Sequence, residues 1–178
     1  MGCDISALYT VVMINRVLNS LPFLSPLRRH QLLLRSSGWE TPLLAFIGVR
    51  LEVDTPQLTH MVVPLSWKTR NSWNTMFFAA IAGGVDVCGG WSCVEVARRT
   101  GVGVLYKDMG IQFLRRVDSD LHVYCRDVQK VQNCVQMAAA SGERENVRIV
   151  VLGYCPLHSA DQPVVRAELT LSMKRLKL

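Results

Sequence analysis

The segment from Met76 to Val94 most constrains what this chain can fold into, because it is 19 residues long and carries one charged side chain, Asp86. A segment of this length and composition could cross a membrane as a helix. Against that, the glycine pairs at 83–84 and 89–90 lower helix propensity, and an aspartate at the centre of a bilayer is costly. We therefore predict a helix that is enclosed on all sides within a globular protein.

The segments around this helix predict an α+β fold with an antiparallel sheet. Residues 5–36 have helical periodicity, which prolines interrupt, and residues 43–53 and 57–66 have the short apolar pattern of strands. Short turns join the longer strand-like segments that follow and favour an antiparallel meander over 103–117, 120–138, 147–155 and 164–176. We predict that the sheet wraps around the helix in a main domain of residues 41–178, with residues 1–40 as a helical segment packed on it.

Composition excludes several classes of protein. With 49% hydrophobic and 19% charged residues, the 178-residue chain is not intrinsically disordered. The six cysteines form no C-x-x-C pair and no two histidines stand at zinc-finger spacing, so we predict reduced structural thiols and no bound metal. The net charge of +6 suits nucleic acid, anionic lipid or a phosphate-bearing ligand. Since no nucleic-acid-binding motif is present, we predict no nucleic-acid partner.

The N-terminus carries a pattern for lipid attachment. The first six residues fit the N-myristoylation pattern with Gly2 as the acceptor, and Cys3 beside it could take a palmitoyl group. Two attached acyl chains anchor a protein stably to a membrane, whereas one does not. We therefore predict a cytoplasmic protein that associates with membranes only if it is acylated. A mitochondrial-targeting interpretation rests on basic residues in a segment poor in acid, namely Arg16, Arg28, Arg29 and Arg35.

Asp86 is the anomaly in the apolar helix. Burial disfavours an ionised carboxylate and raises its pKa, and such groups in clefts are candidates for a general base. The other interpretation is a structural aspartate with a buried partner. Lys107 lies in strand phase with Leu105 and Met109, so it could pair with Asp86, which would instead lower the pKa of Asp86. Alternatively, Lys107 extends its charged end to solvent from the end of a strand.

Two groups of residues resemble a known family. Residues 70–77, which read RNSWNTMF, are followed by nine residues ending at Asp86, and residues 111–116, which read IQFLRR, precede Asp120 and Leu121. In order and spacing they are similar to the hotdog-fold acyl-CoA thioesterase superfamily. The chain most resembles an uncharacterised branch beside the phenylacetic-acid-type thioesterases, over a range from about residue 8 to the C-terminus.

This resemblance implies a fold, an assembly and a set of functional residues. It implies a long helix wrapped by a curved antiparallel sheet, and a homodimer or dimer of dimers with sites at the subunit interface. In such thioesterases a helix carboxylate, here Asp86, acts as base or nucleophile. Backbone N–H groups at the helix start, here near Phe78 and Ala79, polarise the thioester carbonyl, and Asn71 would orient the bound group. The substrate would be an acyl-CoA, and no cofactor is implied.

The helix start departs from the family pattern and leaves two functions open. Many members have His-Gly-Gly where this chain has Phe77, Phe78 and Ala79, so aromatic bulk stands where a thioester would approach the backbone. The first hypothesis is an acyl-CoA thioesterase-like hydrolase. The second is a non-catalytic hotdog protein that binds acyl-CoA or acyl chains, or serves as an oligomeric scaffold. Arg115 and Arg116 could contact the phosphates of coenzyme A, or could be solvated arginines at a strand end.

Overall fold

A computed structural model describes residues 25–36, 41–157 and 161–176, together with Phe23. The predictions for Gly2, Cys3 and the helix over residues 5–22 lie outside these residues. The elements in chain order are α1 (Pro26–Ser36), α2 (Pro42–Ile47), β1 (Arg50–Thr55), β2 (Leu58–Val63), α3 (Phe78–Thr100), β3 (Val102–Phe113), β4 (Leu121–Cys125), α4 (Val128–Ser141), β5 (Glu145–Tyr154) and β6 (Val165–Arg175).

The six strands form one antiparallel sheet in the order β1-β2-β4-β5-β6-β3. The predicted antiparallel pairing is confirmed, but the meander is wrong in one respect, because β3 pairs with β6 and not with β4. The chain reverses tightly after α3 at Gly101, whose φ of 67° is left-handed and suits glycine. In the sheet order β3 lies at an edge, where it pairs with β6 alone.

Two of the predicted strands contain helices. Residues 120–138 are not one strand, because the chain leaves β4 after Cys125 and forms α4. The buried positions Val128, Val131, Val135 and Ala138 of α4 recur at helical spacing, which the apolar content of the segment had masked. Residues 43–53 begin with α2, which has Pro42 in its first turn and ends at Gly48 with a φ of 70°.

The long apolar segment forms α3 on one face of the sheet, as predicted. The side with Val85, Cys88 and Ala97 is buried in the core. The opposite side, which carries Asp86 and Gly90, is only partly buried in the single chain, so the helix is not enclosed on all sides there. Among the helices described, none is both long and apolar enough to span a membrane.

Gly84 sets how closely α3 approaches the sheet. A Cβ atom at residue 84 would lie 2.3 Å from Cγ2 of the fully buried Val63. We expect Gly84→Ala to lower the free energy of unfolding by about 1–2 kcal/mol, since overpacking outweighs the gain in helix propensity. Urea denaturation measures the change. Gly89→Ala is the matched control, because its nearest atom, Cδ1 of Ile149 at 3.0 Å, ends a flexible side chain. Equal stability of the two variants would contradict the prediction.

Candidate active site

Asp86 lies halfway along α3 on its partly buried side, where the hydroxyl of Tyr106 reaches it from β3. That hydroxyl donates a 2.5 Å hydrogen bond to the backbone oxygen of Asp86. Burial raises the pKa of the Asp86 carboxyl above its ordinary value, and the neighbouring Tyr106 hydroxyl partly offsets the shift. Burial and the Asp86 charge also raise the pKa of Tyr106, so the phenol stays protonated and can donate.

The contact with Tyr106 depends on a glycine and on a β-bulge. A Cβ atom at Gly90 would lie 2.7 Å from the hydroxyl oxygen, so only glycine leaves room for it. The register of β3 against β6 shifts between Tyr106 and Asp108, which makes Lys107 the unpaired, exposed residue of the bulge. Within the described chain Tyr106, not Lys107, contacts Asp86. Pairing of Lys107 with Asp86 across a dimer stays a prediction.

A cavity of about 560 Å³ opens beside Asp86, a size common for small-molecule sites. Apolar side chains dominate its lining, including Leu33, Leu44, Val87, Val94 and Val104. The hydroxyl of Ser92 also lines the cavity, is buried, and has no hydrogen-bond partner among the described residues. The lining therefore combines an apolar surface with several polar groups.

Three polar side chains that the sequence analysis missed also line this cavity. Asp54 of β1 lies with its Oδ2 atom 2.6 Å from Nδ1 of His30 in α1, and the same oxygen accepts a 2.8 Å hydrogen bond from Nε1 of Trp91 in α3. The group joins three elements and closes the cavity on the side of the N-terminal helices. These residues are far apart in the sequence, and no spacing pattern connects them.

The start of α3 presents backbone donors. The N–H of Met76 bonds to Val117 and the N–H of Phe77 bonds to Thr69, each at 2.7 Å. Among the described residues, no acceptor takes the N–H groups of Phe78 and Ala79, as is usual for the first turn of a helix. The rings of Phe77 and Phe78 lie 4.7 Å apart and are exposed. Two adjacent donors at a positive helix end can stabilise a developing oxyanion.

The other predicted site residues lie outside this cavity lining. The amide of Asn71 donates to Thr75 and accepts from the N–H groups of Trp73 and Thr75, so it holds together the loop before α3. Arg115 hydrogen-bonds to Gln162, and Arg115 and Arg116 are exposed after the end of β3. A substrate contact of any of the three stays a prediction. No group of three metal-ligating side chains occurs in the part of the chain that the structure describes.

The donors and Asp86 are too far apart to act together within one chain. Asp86 lies eight positions after Phe78, which is about 12 Å along a helix. A reacting carbonyl must lie about 3 Å from its oxyanion donors and from the attacking oxygen. Within one chain, the helix-start donors and Asp86 therefore cannot act on the same carbonyl group.

The chain is similar in structure to known proteins, although no family model and no curated protein matches its sequence. A protein of unknown function from Chlorobaculum tepidum superposes with a TM-score of 0.71 at 13% identity, over 86% of this chain and 98% of that one. A thioesterase variant from Pseudomonas aeruginosa superposes with a TM-score of 0.64 at 14% identity, over 82% and 94% of the two chains. The chain has the hotdog fold.

One more structure of similar fold is a thioesterase from Haemophilus influenzae. It superposes with a TM-score of 0.54 at 11% identity, over 81% of this chain and 92% of that one. At such identities the similarity concerns the fold, and function must come from the site. The predicted superfamily and its particular branch therefore stay predictions.

Proposed function

We propose that this chain hydrolyses the thioester of an acyl-CoA as a homodimer, with Asp86 as the general base. The observation that carries the proposal is the half-buried Asp86, whose pKa is raised and which borders an apolar cavity on the central helix. Its carboxylate takes a proton from water as the water oxygen attacks the thioester carbonyl. N–H groups at the start of α3 hold the oxyanion. The intermediate then collapses, the C–S bond breaks, and the thiolate of coenzyme A leaves and is protonated.

Two copies of the chain would complete the site. If two α3 helices lie antiparallel and cross near Ala82, the start of each lies opposite Asp86 of the other. The N–H groups of Phe78 and Ala79 would then face Asp86 of the partner subunit. Two equivalent sites would form per dimer, as expected for a symmetric interface.

The edge strand β3 offers the surface for this pairing. It extends over Val102–Phe113, and the side chains of Leu105, Met109 and Phe113 are exposed. A long apolar edge strand with unpaired backbone groups is a template for a second strand. Pairing β3 with its copy would continue the sheet across both subunits and would bring the two α3 helices onto the same side.

Charges on the β3 edge should separate the subunits. We expect the double variant Leu105→Asp and Met109→Asp to be a monomer by light scattering, because like charges would meet across the paired strands. Hydrolysis should be lost together with the dimer. Met137→Asp serves as the control, since Met137 is similarly exposed on α4. A double variant that stays dimeric and active would rule out this assembly.

The cavity and the basic residues suggest the substrate class. Its apolar walls favour a fatty or aromatic acyl group, and Arg115 and Arg116 would contact the phosphates of coenzyme A as guanidinium groups commonly do. The predicted resemblance to an uncharacterised branch beside the phenylacetic-acid-type thioesterases makes an arylacetyl group part of the panel to be tested.

Release of free thiol from a panel of acyl-CoAs tests the proposal. Short, medium and long fatty acyl-CoAs and phenylacetyl-CoA should be offered to the purified full chain, beside Asp86→Ala. We expect hydrolysis of at least one member well above the rate of the variant. Hydrolysis no faster than that of Asp86→Ala for every member would refute the enzymatic proposal.

The second candidate is a hotdog protein that binds acyl-CoA or an acyl chain without turnover. The exposed pair Phe77 and Phe78 favours it, because these rings stand at the helix start where a thioester would approach the backbone. Calorimetry distinguishes the two functions. Tight binding of an acyl-CoA that remains intact after prolonged incubation would support this second candidate.

A further inference from the structure

Exposed aromatic and basic side chains occur along the loop that precedes α3, and Phe46 of α2 contacts Trp67 of this loop. We define the aromatic-basic patch as Phe46, Trp67, Lys68, Arg70 and Trp73. Trp67 is 72% exposed, Trp73 is 78% exposed and Phe46 is 47% exposed. Large apolar rings held in solvent as a group indicate an interaction surface, whereas single exposed ones do not.

The loop that carries the patch is well hydrogen-bonded. The hydroxyl of Thr69 donates to the carbonyl of Pro64 at 2.6 Å and accepts from the N–H of Ser66 at 2.8 Å. The backbone of Arg70 bridges to Met76, and Asn71 binds the turn that contains Trp73. The rings are therefore exposed in a loop whose conformation is held by hydrogen bonds. This loop leads directly into the start of α3.

The patch carries positive charge next to its rings. The Nζ atom of Lys68 lies 5.5 Å from the ring centre of Phe46 and 5.7 Å from that of Trp67, while those two rings contact each other edge to face. Neither Lys68 nor Arg70 forms an ion pair among the described residues. No acidic residue occurs in the sequence between Asp54 and Asp86.

We propose that the aromatic-basic patch binds the surface of an anionic membrane. Tryptophan rings partition into the interface between headgroups and acyl chains, and lysine and arginine are attracted to anionic lipids. Both kinds of side chain are present here on one loop. Binding by this patch requires no lipid on Gly2 and no membrane-spanning helix, and it does not depend on the proposed hydrolysis.

A second copy of the chain suits this patch poorly. A dimer with its two-fold axis at the patch would place the patch against itself, so Lys68 and Arg70 would meet the same cations without acidic partners. The proposed pairing instead uses β3 and the first turn of α3, and none of the patch residues belongs to either element. Charge complementarity therefore favours an anionic lipid surface as the occupant.

Vesicle sedimentation with the full chain tests the proposal. The protein is made in bacteria that lack the myristoyl transferase, and is mixed with vesicles of phosphatidylcholine alone or with phosphatidylserine added. We expect binding to the anionic vesicles that weakens with added salt. The double variant Trp67→Ser and Trp73→Ser should lower the partition coefficient by about tenfold or more. Lys68→Gln with Arg70→Gln should remove the preference for phosphatidylserine.

Matched controls separate the patch from general effects. Met137→Ser removes an exposed apolar side chain on α4 and should bind vesicles like the parent chain. Thermal unfolding shows whether each variant is folded. Wild-type binding by the folded tryptophan double variant would overturn the proposal. The absence of vesicle binding by the parent chain would also overturn it, and a changed oligomeric mass of that variant would then show that a second copy covers the patch.

Discussion

Replacing Asp86 with alanine should lower kcat for the best acyl-CoA by about 10²–10⁴-fold, the usual contribution of a general base. The Michaelis constant should change little, because the carboxylate acts on water and contributes little to holding the acyl chain. Asp86→Asn is the matched variant, since it keeps the shape of the side chain and removes its basicity. Steady-state kinetics on both variants measure the effect. An Asp86→Asn variant as active as the parent would exclude a general base at this position.

The raised pKa of Asp86 predicts how activity and stability depend on pH. A general base must be ionised, so hydrolysis should rise with pH through a midpoint above the ordinary aspartate value of 3.8. The folded chain holds the Asp86 proton more tightly than the unfolded chain does. The protonated Asp86 carboxyl thus contributes its full stabilisation at pH values below the pKa that it has in the unfolded chain. This stabilisation is lost as pH rises through the higher pKa that it has in the folded chain.

Stability at neutral pH distinguishes a functional Asp86 from a structural one. At neutral pH the ionised carboxylate destabilises the fold, so Asp86→Asn should unfold at the same temperature as the parent chain or at a higher one. Thermal unfolding at neutral pH measures the difference. A clear loss of stability in Asp86→Asn would show that a partner stabilises the carboxylate, which is the alternative interpretation of this residue.

Removing one backbone donor at the start of α3 should lower kcat by about 10²–10³-fold, which is the typical effect of losing an oxyanion donor. Phe78→Pro removes that N–H with little disturbance. Proline is favoured at the first helical position, and Phe77 before it is extended, with a ψ of 136°. Phe78→Ala is the control, because it removes the ring and keeps the N–H. Equal activities of the two variants would exclude the donor role.

A mixed dimer then shows whether donors and base come from different subunits. One subunit carries Asp86→Ala, the other carries Phe78→Pro, and two affinity tags isolate the mixed species. If the site is shared, one of the two sites is intact and the mixed dimer should recover about half of the parent activity. If each subunit used its own Asp86 and its own helix start, both sites would be defective and the mixed dimer would stay inactive.

Features that depend on a short stretch of sequence were predictable. The 19-residue segment with one charge forms α3, and Asp86 on it has a raised pKa, as burial in such a helix requires. The alternation of apolar and polar residues gave a wrong prediction where a strand is followed directly by a helix. The segment 120–138 contains a strand and then a helix, and both present apolar residues to the same core, so hydrophobicity alone did not separate them.

Contacts between distant elements were not predictable from the sequence. The bulge at Lys107 reverses the alternation of β3, which brings Tyr106 to Asp86 instead of Lys107. The group of His30, Asp54 and Trp91 joins three elements that are separated by long stretches of chain. Neither arrangement leaves a periodic signal, because each depends on where whole elements pack.

The sequence by itself determined the α+β class, the central apolar helix and the place of Asp86 on it, because hydrophobic periodicity and a single charge in an apolar segment are local properties. Tertiary structure alone decided what surrounds Asp86 and how the strands are ordered. β3 lies at the edge of the sheet because it pairs with the distant β6 alone, and Gly90 admits the Tyr106 hydroxyl. The physical reason is that strand order and close approach depend on the packing of the whole chain, which no short segment encodes.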